Sequence, residues 1–200
     1  MNIPYFGLVI IFVVWLSYEL HKSRRKNEKA SEDFWEREIE AGSVRRQSTD
    51  DIKFICFDTS VLPLDRGEPD SELESLCDRI EKLSVKKIAD LSAYTNTDLK
   101  MKYGVANFQE LSEADTRFTS LTPLVGNLCN YLYENNRSDE AMKVCEYAIN
   151  IGIHTSVVML TLAKIHKDRG ESQKIASLLA IAKEDEKCPA SLIEKLNGFL

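Results

Sequence analysis

Hydrophobic and polar positions fall into three regimes along the chain. The first is an unbroken uncharged run, Ile3 to Tyr18 (IPYFGLVIIFVVWLSY). The second, over residues 21–47, is charged and helix-prone, with Phe34, Trp35 and Ile39 on one side. The third begins near residue 70, where Leu73, Leu76, Cys77, Ile80 and Leu83 recur at steps of three and four, the stripe of an amphipathic helix. Between the last two lies IKFICFDTSVLPL (52–64), rich in β-branched and aromatic residues and closed by Pro63. A lone strand is not stable by itself, so this stretch reads as an extended segment lying against helices, followed by a surface loop over Asp65–Asp70. The pattern predicts a mainly α chain with at most one short extended segment.

Capping and breaking residues divide the helical part. Ser71-x-x-Glu74 makes a capping box, and Thr97 or Asn96 is placed to cap the brief helix TDLKMKY, which Gly104 ends. Ser112-x-x-Asp115 resembles another start; the helix begun there either kinks at Pro123, or stops and restarts with Thr122 as its cap. Residues 122–135 read as a helix turning at Asn136-Arg137. Ser138 or Asp139 then caps a second helix that Gly152 stops. Another pair follows over 156–169 and 172–185 with its turn at Gly170, and Ala190–Leu200 forms a last, solvent-capping helix.

A shift of 34 residues places Leu128 on Leu162 and Leu196, Cys129 on Ala163, Asn136 on Gly170, Cys145 on Leu179 and Ala148 on Ala182. A helix–turn–helix unit of this length resembles the tetratricopeptide repeat (TPR). The family's packing places correspond to Leu128, Cys129, Leu132, Ala141, Cys145 and Ala148 in the first unit. In the second they correspond to Leu162, Ala163, His166, Gly170, Ile175, Leu179 and Ala182. The chain departs from the family at the first aromatic position (Val125, Met159) and at the late proline (Ile153, Lys187). The resemblance covers residues 122–200 and fails upstream, where Tyr94, Thr95 and Asn107 do not fit. It implies a groove, lined by the first helix of each pair, that accepts an extended peptide or a helix, with Asn130, Tyr133, Lys164 and Lys167 facing the partner. Some relatives hold a peptide carboxylate with Asn and Lys there; Asn130 matches, whereas Gly126 stands where the Lys would be. Two repeats bury little core, so helices within 70–121 are expected to act as their N-terminal cap. The arrangement of apolar run, FWEREIE and NTDLKMKYG is also similar to bacterial membrane-anchored repeat proteins without an assigned activity.

Charge adds a direction. Lys22, Arg24, Arg25, Lys26 and Lys29 follow the apolar run, and Tyr5, Trp15 and Tyr18 sit near its two ends. Sixteen helical residues rise about 24 Å against a hydrocarbon core of about 30 Å, a mismatch a bilayer absorbs by thinning. A cleaved signal peptide carries its positive charge before the core and a small-residue site after it, which this order lacks. The run therefore reads as an uncleaved single-pass anchor in the cell (inner) membrane, N-terminus outside and C-terminal body cytoplasmic. The expected organisation is an anchor (1–20), a basic juxtamembrane segment and helical stalk (21–50), an extended segment and loop (51–69), a helical cap region (70–121) and TPR-like hairpins with a capping helix (122–200).

Of the net charge of −6, residues 1–21 carry −1 and residues 22–29 carry +4, which leaves −9 on residues 30–200. An acidic body disfavours nucleic acid as a partner. Cys56, Cys77, Cys129, Cys145 and Cys188 show no C-x-x-C spacing, and His21, His154 and His166 make no ligand spacing with them, so neither a disulfide framework nor a metal site is expected. His166 and the Cys129/Cys145 pair read as core. Glu36/Glu40 and Asp50/Asp51 read as solvated faces. No phosphate loop, HExxH or GxSxG occurs, so no enzyme, cofactor or small-molecule substrate is expected. The expected function is a membrane-tethered adaptor or scaffold whose groove binds a protein or peptide near the bilayer. The alternative is a structural subunit of a translocation, division or envelope-assembly complex, acting through anchor and stalk.

Overall fold

The computed structural model describes residues 3–69 and 71–200, with backbone alone for residues 3–6. Among these residues the chain is all-α. Its helices are α1 (Ile3–Ser43), α2 (Glu72–Ser84), α3 (Asn96–Tyr103), α4 (Val105–Glu134), α5 (Ser138–Asn150), α6 (Ser156–Asp168), α7 (Ser172–Glu184) and α8 (Ala190–Asn197). A single antiparallel bridge, Ile55 to Ile88, takes the place of any sheet. The chain divides into two compact units, one of residues up to Thr49 with Tyr94–Gln109, the other of Asp50–Ala93 with Glu110–Leu200.

In the first unit, the expected anchor and stalk are one helix of 41 residues. Among the described residues no helix is long and apolar enough to cross a membrane. The uncharged part of α1 runs from Ile3 to Tyr18, about 24 Å of helix against the roughly 30 Å of a hydrocarbon core. Glu19, Lys22, Arg24, Arg25 and Lys26 interrupt it at once. The expected single-pass span, and the localisation drawn from it, are corrected on that ground. Trp15 and Tyr18 are exposed on α1, Lys22 pairs with Glu19 at 3.9 Å, and the side chain of Tyr5 lies outside the described residues.

The far end of α1 packs on α3. Ala41 is buried, Arg37 donates to Asp98 at 2.9 Å, and Glu38 accepts from Lys100 at 2.7 Å and from the Thr97 hydroxyl. Thr95, one residue before the two expected caps, closes α3: its Oγ1 accepts from Asp98 N at 3.2 Å while the Asp98 carboxylate accepts from Thr95 N at 3.0 Å. Asn107, one of the three residues at which the repeat pattern fails, is buried and satisfied. It accepts from Arg46 Nε at 2.9 Å and donates to the carbonyls of Gln47 and Tyr103 at 2.7 and 2.8 Å.

The second unit is built around one apolar cluster to which α2, α4–α8 and the extended segment all contribute. Ser71 caps α2 by accepting from Glu74 N at 3.2 Å, and Leu73, Leu76, Cys77 and Ile80 bury the predicted stripe. Ile55, Phe57 and Leu62 of the extended segment enter the same core, and Asp58 caps a single 3-10 turn, Thr59–Val61. Tyr147 of α5 ties this segment down: its hydroxyl accepts from Asp58 N at 2.6 Å and donates to Cys56 O at 3.2 Å, and its ring meets Phe57 edge-on at 5.2 Å.

Two expected boundaries differ. α4 begins at Val105 rather than near Ser112, and it passes through Pro123 without ending. Proline removes one helical N–H, and in the same turn Thr122 Oγ1 donates to Phe118 O at 2.9 Å. α5 starts after Arg137, with no side-chain cap, so neither Ser138 nor Asp139 caps it. Asp139 and Glu140 in its first turn suit the positive end of the helix dipole instead.

The turns repeat with the sequence. Asn136 at φ 60° and Gly170 at φ 72° stand 34 residues apart, each just past a helix end. The next amide reaches back to the same carbonyl in both, Arg137 N to Leu132 O and Glu171 N to His166 O, each at 2.8 Å. The α5–α6 turn uses the same closure at Gly152 (φ 92°), with Ile153 N bonded to Ala148 O at 2.9 Å. The α7–α8 connection departs from it, since Asp185 is extended and α8 follows Pro189.

Candidate functional site

The repeated turns bring α4 and α6 side by side, and two of the four expected partner-facing residues, Lys164 and Lys167, lie over aromatic rings. Tyr133 is half-buried on α4 and its hydroxyl donates to Asp168 Oδ2 at 2.9 Å. That bond, with a smaller contribution from burial, raises the Tyr133 phenol above its ordinary range. Lys164 places its ammonium 5.8 Å from the centre of the Tyr133 ring, and Lys167 sits 5.2 Å over Phe199. Such contacts hold a cation without neutralising it. Neither lysine makes an ion pair among the described residues, although the chain is acidic overall. Asn130 stays with its own helix, donating to Glu134 Oε1 at 2.9 Å. Gly126 is buried against α6; a Cβ there would meet Val157 at 3.5 Å.

Sequence reasoning missed three polar pairs that join the turns. His154 lies between two acceptors, with Nδ1 2.6 Å from Asp185 Oδ2 and Nε2 3.1 Å from Ile149 O. Burial acts to raise the Asp185 carboxyl, but the Lys187 amide and His154 outweigh it and hold it below the ordinary value. Lys187 pairs with Asp90 and donates to Ser92 Oγ at 2.9 Å. Asp90 is also lowered, burial being overcome by Lys187 and Ser92. These groups border a cleft of about 410 Å³ with Thr122 and Ser156. The third pair is His166 with Glu171, at 2.7 Å. A repeat offset aligns equivalent positions, and none of these partners stands at that offset from the other.

Cys129 and Cys145 are fully buried. The Cys145 thiol is pushed far up by its hydrogen bond to Cys129 and then by burial, so it stays protonated and a poor nucleophile. Among the described residues no group of three or more His, Cys, Asp or Glu side chains is placed to hold a metal ion. No protein-family model, curated protein or solved structure matches this chain, so the functional reading rests on its own residues.

Proposed function

We propose that the α4–α8 array is a non-enzymatic, TPR-like module that binds a protein or peptide partner on the α4/α6 face through Asn130, Tyr133, Lys164 and Lys167. The 34-residue recurrence of Asn136 and Gly170, with the same closing bond at each, supports a repeat of helical hairpins. The observation that carries the binding reading is the pair of lysines held on aromatic rings with no carboxylate of their own among the described residues. Two such cations, one helical turn apart, suit an acidic or carboxylate-bearing segment. Changing Asn130, Tyr133, Lys164 and Lys167 together to Ala, Phe, Ala and Ala is expected to abolish most partner crosslinks while leaving the melting curve close to wild type. An unchanged set of crosslinked partners would sink this reading.

A second reading, an assembly subunit that makes its contacts through α1, is favoured by one observation. Leu8–Leu16 on α1 expose large apolar side chains by 40–67%, and Phe34, Trp35 and Ile39 are exposed further along. Replacing α1 with an unrelated helix separates the two readings: retained partner capture points to the α4/α6 face, and loss points to α1.

A further inference from the structure

Charge on α1 is ordered along its length. At about 100° per residue, Lys22, Arg25, Lys29, Glu32, Glu36 and Glu40 fall within an arc of about 80°, centred about 140° from Ala41, which is buried toward α3. All six are exposed, and Ile39, itself 74% exposed, borders the same arc. The basic half of this face comes first and the acidic half second, and no residue of opposite sign enters either half. Like charges therefore stand three or four positions apart, an order that disfavours a helix by itself. The ion pairs of α1 are Lys22 with Glu19, Arg37 with Asp98 and Glu38 with Lys100. They leave Arg25, Lys29, Glu32 and Glu36 without a charged partner among the described residues.

We propose that this face pairs with the same face of a second copy, the two α1 helices running antiparallel about a two-fold axis between residues 30 and 31. In that register Lys29 meets the partner's Glu32 and Arg25 meets the partner's Glu36. Symmetry repeats each pair, so opposite charges face each other along both halves of the seam. Lys22 lies over the partner's Ile39, and its methylene stem covers that exposed apolar side chain. Sign and order select this occupant. A parallel copy sets Arg25 on the partner's Arg25, and a surface of one sign attracts one half of the face while repelling the other. Exposed ion pairs are individually weak and screened, so the dimer depends on both concentration and salt. The pairing goes beyond the reading in which α1 contacts other partners. It uses neither the α4/α6 face nor the exposed Leu8–Leu16 side chains, so each of these can fail without the others.

Analytical ultracentrifugation of the full chain tests this. A dimer is expected at about 50 mM salt, with a dissociation constant at least about tenfold higher at about 500 mM. Arg25→Glu with Lys29→Glu turns the basic half acidic, and Glu32→Lys with Glu36→Lys turns the acidic half basic. Each double variant is expected to weaken self-association at least about tenfold, with an unchanged melt because all four positions are exposed and unpaired. Mixed in equal amounts, the two double variants are expected to dimerise with each other as tightly as wild type, since every facing pair is again of opposite sign. The variant carrying all four changes reverses the order of charge and is expected to pair with itself. The proposal fails if the chain is monomeric at about 500 μM and about 50 mM salt. It also fails if either double variant self-associates as tightly as wild type, which would assign the contact to the Leu8–Leu16 side chains, or if mixing the two restores nothing.

Discussion

At Gly104 the backbone takes φ 82° and ψ 152°, a region open in practice only to glycine, and a Cβ built there would lie 2.3 Å from Arg45 O. Two costs add, a strained conformation of about 1–3 kcal/mol and an overlap with main chain that cannot rotate away. Gly104→Ala is therefore expected to destabilise the first unit by at least about 3 kcal/mol, read as a lost or lowered urea transition. A transition within about 0.5 kcal/mol of wild type would show that the 44–47 segment does not press on Gly104. The glycine is visible in the sequence as a helix stop. Its second role is not, because Arg45 is 59 residues away and nothing in the local pattern announces the approach. Asn107 teaches the same point: a polar residue that breaks a repeat pattern is there to satisfy the Gln47 and Tyr103 carbonyls.

Between elements, the turns are held by carboxylates whose protonation matters. Asp185 and Asp90 both titrate below the ordinary value of 3.8 in the folded chain. A depressed folded value means the ionised form stabilises the fold. That contribution is complete above the unfolded value and disappears as pH falls through the lower folded one. Denaturation midpoints are thus expected to hold between about pH 7 and 5 and to fall below about pH 4. The double variant Asp90→Asn with Asp185→Asn should be less stable at neutral pH yet show a flatter acid limb. An acid limb as steep as that of wild type would remove these two groups from the account. Helix starts and stops near the turns were largely legible, because Gly152, Gly170 and Pro189 act within a few residues. The course of α4 was not: Pro123 is a local breaker, and packing of Leu121, Leu124, Val125 and Leu128 on the shared core keeps the helix going through it.

For the second unit as a whole, the shared core decides what can fold alone. Ile55, Phe57, Leu62, Leu73, Leu76, Cys77, Ile80 and Ile88 are packed in one cluster with the α4–α8 side chains. A fragment starting at residue 112 lacks all eight and exposes the apolar faces they cover. Each buried aliphatic or aromatic side chain is worth about 1.5–3 kcal/mol, against a total stability of about 5–15 kcal/mol for a domain. The fragment is expected to show no cooperative thermal transition by circular dichroism. A sharp melt matching that of the full chain would prove the hairpins self-sufficient.

The chain's own pattern determined the helical class, the 34-residue spacing of its last hairpins and the residues that turn them. Those signals act over one or two helical turns, where backbone sterics and capping bonds are decided. Tertiary structure alone chose the partners: Tyr133 with Asp168, His154 with Asp185, Asn107 with Gln47, and an extended segment sealed by Tyr147. These contacts join residues 31 to 89 positions apart. Which polar groups meet at that range depends on how whole apolar faces pack, and only the folded chain settles that.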